Sequence, residues 1–86
     1  MAIENEDCIE AAGLDLKQVR SIARRIEKAA LEAQAMGIQI FGGTGSGTLR
    51  YDDGKDKMLI LSSMDGNWSG GDGGELPDDE GLMRGE

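Results

Sequence analysis

IQIFGGTGSGTLRYDDG, residues 38–54, is the stretch on which the reading of the fold turns. Ile38, Ile40 and Phe41 form a short run of β-branched and aromatic residues, the composition of a strand. Thr48-Leu49-Arg50-Tyr51 alternates apolar and polar and predicts a second strand. Asp53-Gly54 is a hairpin turn pair. Between the two strands stands Gly42-Gly43-Thr44-Gly45-Ser46-Gly47, which has the look of a phosphate-binding loop. A P-loop reads G-x-x-x-x-G-K-[ST], with a strand before and a helix after. Gly42 and Gly47 have that spacing, but Thr48 stands where the lysine is needed. Too few residues separate Gly47 from the Asp53-Gly54 turn for the helix whose N-terminus would hold the anion. The dinucleotide pattern G-x-G-x-x-G fails too, because Gly43-x-Gly45 is followed by Gly47 one residue early. The segment therefore predicts a β-hairpin with a flexible glycine loop.

Upstream, residues 14–37 predict one helix. Asp15 is a good N-cap with Gln18 at the capping-box position, and Leu14 and Val19 occupy the hydrophobic-staple positions. Gly37 supplies the left-handed residue on which helices often end. Leu16, Val19, Ile22, Ala23, Ile26, Ala30 and Ala33 recur at three- and four-residue steps and form one apolar stripe. The opposite face carries Lys17, Arg20, Arg24 and Lys28, with Arg25 at its edge. Such rows are ordinarily solvated helix faces. Downstream, Met58–Leu61 begins a third strand that continues to Met64, with Met58 and Ile60 on one side and Leu59 and Leu61 on the other. The expected fold is α+β: one long amphipathic helix packed on a three-stranded antiparallel meander, in the order α-β-β-β. A third strand that is apolar on both sides needs cover at its edge. Self-pairing of residues 58–61 into a homodimer is the expected solution.

Composition bounds the rest. The chain has 86 residues and a net charge of −8, with no histidine. Phe41, Tyr51 and Trp68 are its only aromatic residues. One domain is the ceiling, and its core is thin. Residues 1–13 form an acidic segment expected to be flexible, residues 14–64 the folded domain, and residues 65–86 a Gly/Asp-rich acidic tail expected to be largely mobile. The acidic balance disfavours nucleic acid as a partner and favours basic surfaces. The lone Cys8 cannot form an internal disulfide, and MAIENEDCIE lacks the basic and apolar regions of a signal peptide. No run of residues is long and apolar enough for a bilayer. A cytoplasmic protein is expected.

The tail holds a partial calcium pattern. Asp65, Asn67 and Ser69 fall at positions 1, 3 and 5 of an EF-hand loop, with Gly70 at position 6. Position 12 is Leu76, not the bidentate glutamate, and a strand precedes the loop. These three residues are the candidate metal ligands, and a glycine-rich turn is the simpler reading. Trp68 either folds back onto the thin core or anchors a partner.

Catalysis has no visible basis. There is no histidine, Cys8 lies among acids that disfavour its thiolate, and Ser62 and Ser63 have no neighbouring base. No cofactor is expected. The basic helix VRSIARRIEKAALEAQAMG, the hairpin IFGGTGSGTLRYDDG and the ending NWSGGDGGELPDDEGLMRGE together resemble the small acidic accessory proteins of bacteriophages and prophages. That resemblance implies a role in host takeover, in blocking a host defence or in another step of phage growth, inside the host cytoplasm. The function expected is a non-enzymatic interaction protein that occupies a basic site on a host or phage protein. Trp68, Asp72, Glu75, Asp78, Asp79 and Glu80 are its candidate contacts. The alternative is a phosphate-containing ligand or nucleotide held by Gly43, Thr44, Gly45 and Ser46 together with Lys17, Arg20 and Arg24. The third reading is calcium binding at 65–76.

Overall fold

The computed structural model describes residues 3–43, 45–70 and 74–85. A short helix, α1 (Glu6–Ala11), precedes the long helix α2 (Leu16–Ala35). Asp15 caps α2 as its sequence position predicts: its side-chain oxygen accepts the Lys17 amide at 3.0 Å, satisfying one of the helix's orphan donors. At the other end Gly37 has φ 75°. Its amide donates to Gln34 at 3.1 Å, and the Ile38 amide donates to Ala33 at 2.9 Å. This is a Schellman ending, which turns the chain out of the helix and into strand β1 (Gln39–Gly43).

Strand β1, β2 (Ser46–Tyr51) and β3 (Leu59–Asp65) form an antiparallel sheet in the order β1-β2-β3. The fold is the expected α+β arrangement of one long helix and a three-stranded meander. Asx turns organise the β2–β3 connection: Asp52 accepts the Gly54 amide at 2.8 Å, and Asp53 accepts the Lys55 amide at 3.2 Å.

Register sorts the side chains onto two faces, because paired residues on antiparallel strands share a face. Ile40 opposes Leu49, and Gly42 opposes Gly47. Across the other ladder, Tyr51 opposes Leu59, Leu49 opposes Ser62 and Gly47 opposes Met64. These residues make the apolar face. The polar face carries Phe41 opposite Thr48 and Gly43 opposite Ser46, with Arg50 opposite both Gln39 and Ile60. Leu61 has no opposite partner, because Arg50 pairs with Ile60 and Leu49 with Ser62. This β-bulge departs from the strict alternation that the sequence predicts for strand three. The extra residue keeps Met64 on the same face as Leu59; an unbroken alternation would place it with Ile60.

The acidic ends carry regular structure where the sequence predicts flexible segments. In α1, Glu6 and Asp7 occupy the first turn, where the helix dipole favours negative charge. Gly13, at φ 74°, ends it. Strands β4 (Glu75–Pro77) and β5 (Met83–Gly85) pair as a second antiparallel sheet. The compact units also divide the chain differently from the ranges 1–13, 14–64 and 65–86. One joins the chain up to Lys28 with the β4–β5 hairpin, and the other runs from Ala29 to Gly70.

Burial is shallow in both. Ala33, 8% exposed, is the one buried hydrophobic among the described residues. On the apolar stripe of α2, Ile22 is 49% and Ile26 58% exposed, and on β3 Ile60 is 62% exposed. Among the described residues no helix is long and apolar enough to cross a membrane.

Candidate functional site

The glycine loop is resolved by its pairing. Gly42 and Gly47, whose spacing imitates a P-loop, stand directly opposite one another on the β1–β2 ladder. Both present bare backbone to the apolar face, and the indole of Trp68 lies there. A Cβ at Gly47 would meet Trp68 Cδ2 and Cε2 at 2.6 Å, and one at Gly42 would meet Cε3 at 3.3 Å. Two hydrogen bonds hold the indole and its backbone in place. Trp68 Nε1 donates to the Asp65 carbonyl at 3.1 Å, and the Gly45 amide donates to the Trp68 carbonyl at 3.1 Å. Gly70 continues the fit, since a Cβ there would come within 2.9 Å of the Gly42 carbonyl oxygen. Glycine is needed at these positions for close approach of an aromatic ring and a second backbone segment. Trp68 is half-buried in this seat.

The cationic side chains of α2 line one shallow basin of about 440 Å³, formed by Lys17, Arg20, Ser21, Arg24, Arg25 and Lys28. Arg20 is paired with Glu4 at 3.2 Å, and Arg25 Nε donates to the Ser21 carbonyl at 3.3 Å. The ligand set expected from sequence is thus split. Lys17, Arg20 and Arg24 belong to the first compact unit, while Gly43, Gly45 and Ser46 belong to the second. Thr44 lies outside the described residues.

The expected partner contacts divide in the same way. Trp68 is in the second unit, and Glu75, Asp78, Asp79 and Glu80 are in the β4–β5 hairpin of the first; Asp72 lies outside the described residues. Asp78 organises its own turn. Its Oδ1 accepts the amides of Glu80 and Leu82, each at 2.9 Å. Its Oδ2 accepts Arg84 Nε at 2.6 Å. The Arg84 hydrogen bond, followed by that of Leu82, holds the Asp78 carboxyl below its ordinary value of 3.8. Asp79 and Glu80 are exposed on the turn.

Of the candidate calcium ligands, Asp65 ends β3, and Asn67 and Ser69 flank Trp68 in the segment that follows. The Asp65 carbonyl already accepts the indole N–H. Among the described residues no group of three or more His, Cys, Asp or Glu side chains gathers as a metal-binding cluster.

Sequence reasoning did not single out Arg50. On the polar face its guanidinium lies 4.7 Å from the centroid of the Phe41 ring, and its Nε donates to Thr48 Oγ1 at 2.9 Å. The register carries the signal: residues 48 and 50 share a face by alternation, and residue 41 joins them only once the hairpin closes.

No protein-family model matches this chain, and no curated protein or solved structure is found to be similar to it.

Proposed function

We propose that the chain acts by binding a polypeptide with a basic surface rather than by catalysing a reaction. One observation carries this reading: a chain of net charge −8 leaves many of its large aliphatic side chains exposed. Ile22, Ile26, Leu31, Leu59, Ile60 and Leu61 are all exposed. Exposed apolar groups rimmed by charge are the composition of a protein–protein interface. The acidic excess selects a basic partner and speeds its encounter through long-range attraction. Asp79 and Glu80, exposed on the β4–β5 turn, are the acids we assign to that contact. In the phage setting that the sequence resemblance implies, the partner is a host protein and binding blocks its basic site.

The experiment is affinity purification of the intact chain at low, physiological and high salt, followed by titration of the purified partner. Binding that weakens with salt and with the double change D79K/E80K is expected. A partner whose affinity is indifferent to both would overturn the reading.

A second reading is self-association. Strand β3 is an outer strand of the sheet, and its Ile60 is 62% exposed. A second copy adding to that edge would cover it. Sedimentation over a hundredfold concentration range, on the order of micromolar to sub-millimolar, separates a dimer from a monomer.

A further inference from the structure

The polar face of the three-stranded sheet carries a cleft of about 250 Å³, lined by Phe41, Gly42, Gly43, Ser46, Thr48 and Arg50. We propose that this cleft is a receptor for the oxyanion group of a small molecule, a carboxylate or a phosphate, gripped by Arg50 with the hydroxyls of Thr48 and Ser46.

The first ground is that Arg50 is preorganised. The side chain is half-buried. Its guanidinium stacks on Phe41 at 4.7 Å, and its Nε is tied to Thr48 Oγ1 at 2.9 Å. A stacked and tethered guanidinium has already lost most of the freedom that binding would otherwise remove. The second ground is what stays free. Among the described residues the Nε bond to Thr48 is the guanidinium's one hydrogen bond, which leaves the donors on the two terminal nitrogens as a fork matched to an oxyanion. Among the described residues no carboxylate pairs with Arg50. The Thr48 hydroxyl oxygen accepts the Arg50 Nε–H, which leaves its own proton to donate elsewhere.

The third ground is space. Gly43 stands opposite Ser46 on this face, and a Cβ at Gly43 would meet nothing within 4 Å. Charge locates the anion within the cleft. Asp65 stands opposite Ser46 at one end, so the oxyanion sits toward Thr48 and Arg50. Stacking alone would account for an arginine lying over a phenylalanine. It does not account for the unpaired fork, the two hydroxyls and the open glycine gathered in one cleft.

The proposal is independent of the polypeptide-binding reading, because it concerns a different class of ligand, held by Arg50, Thr48 and Ser46 and not by the exposed aliphatic side chains. Its test is NMR titration of the isotopically labelled full chain with sodium phosphate and, separately, with sodium acetate, at ionic strength held constant with chloride. Saturable shifts of the Ser46 and Thr48 amides and the Arg50 Nε–H are expected in at least one arm, with chloride silent. The arm that saturates names the oxyanion. R50Q should weaken binding roughly tenfold or more, the size of one charge-assisted contact. R50K, which keeps the charge but loses the fork, should also weaken it. G43V, which fills open space, should keep the fold and lose binding, so the proposal is tested even if R50Q misfolds. Shifts that stay linear in both arms would overturn it. So would shifts centred on Lys17–Lys28, or undiminished binding by a folded G43V.

Discussion

The indole of Trp68 occupies the space that a side chain at Gly47 would need: a Cβ at Gly47 would sit 2.6 Å from two of its ring atoms. Real carbon contacts do not come so close, and an indole cannot bend away. The glycine and the tryptophan therefore specify one another. G47A should displace the ring and destabilise the protein by about 1–3 kcal/mol, the usual cost of overpacking. G43A meets nothing within 4 Å and should be neutral to folding. Trp68 emission and thermal unfolding of the two variants make the comparison, and equal stability would remove the seat.

The hydrogen bond from Trp68 Nε1 to the Asp65 carbonyl, 3.1 Å long, sets the orientation of the ring. W68F keeps an aromatic body but loses that donor. A loss of roughly 1 kcal/mol is expected, measured by urea unfolding. W68A, which also removes the ring from Gly42 and Gly47, should cost more than W68F.

The two ends of α2 test the helix. D15A removes the acceptor of the Lys17 amide and should cost about 1 kcal/mol. G37A is strained in two ways. Gly37 has φ 75°, and a Cβ there would meet the Tyr51 ring at 3.3 Å. It should therefore lose at least as much, roughly 1–2 kcal/mol. Circular dichroism on thermal melting reads both.

Asp78 makes the β4–β5 hairpin sensitive to acid. Its carboxyl, held by Arg84 and the Leu82 amide, titrates below its ordinary value of 3.8. A lowered folded-state value means that the stabilisation is complete above 3.8 and is lost as pH falls from there through the lower folded value. The amide signals of Glu80 and Leu82 should hold steady from neutral pH down to that window and then move together. D78N should abolish the transition. Amides that titrate unchanged in D78N would show another group at work.

Strand β3 supplies the last prediction. Ile60 lies on the polar face of the sheet and is 62% exposed. I60K should leave the fold intact and raise the concentration needed for self-association. Unaltered sedimentation of I60K alongside an associating parent chain would place the contact elsewhere.

Much of this architecture is legible from local chemistry. Asp15 and Gly37 punctuate α2 because a cap and a left-handed residue act within one turn of the chain. Ile38–Phe41 and Thr48–Tyr51 read as strands because alternation needs no distant partner. The absent lysine at Thr48 and the short span to Asp53-Gly54 rule out a P-loop without coordinates. The ends were less legible. Glu6 and Asp7 read as disordering charge, yet at the start of a helix they complement its dipole. Pro77 and the aspartates around it read as a mobile tail, yet Asp78 gathers two amides and a guanidinium into a turn.

Local sequence was enough for the order of the long helix and the three meander strands, the caps of that helix and the acidic character of the chain, since each depends on neighbours a few residues apart. Tertiary structure alone decided that Gly42 and Gly47 are a seat for Trp68, that Leu61 is the extra residue of a bulge, and that Arg50 lies on Phe41 beside Thr48. Those relations depend on which strand residues stand opposite one another, and cross-strand register is set only when the hairpins close.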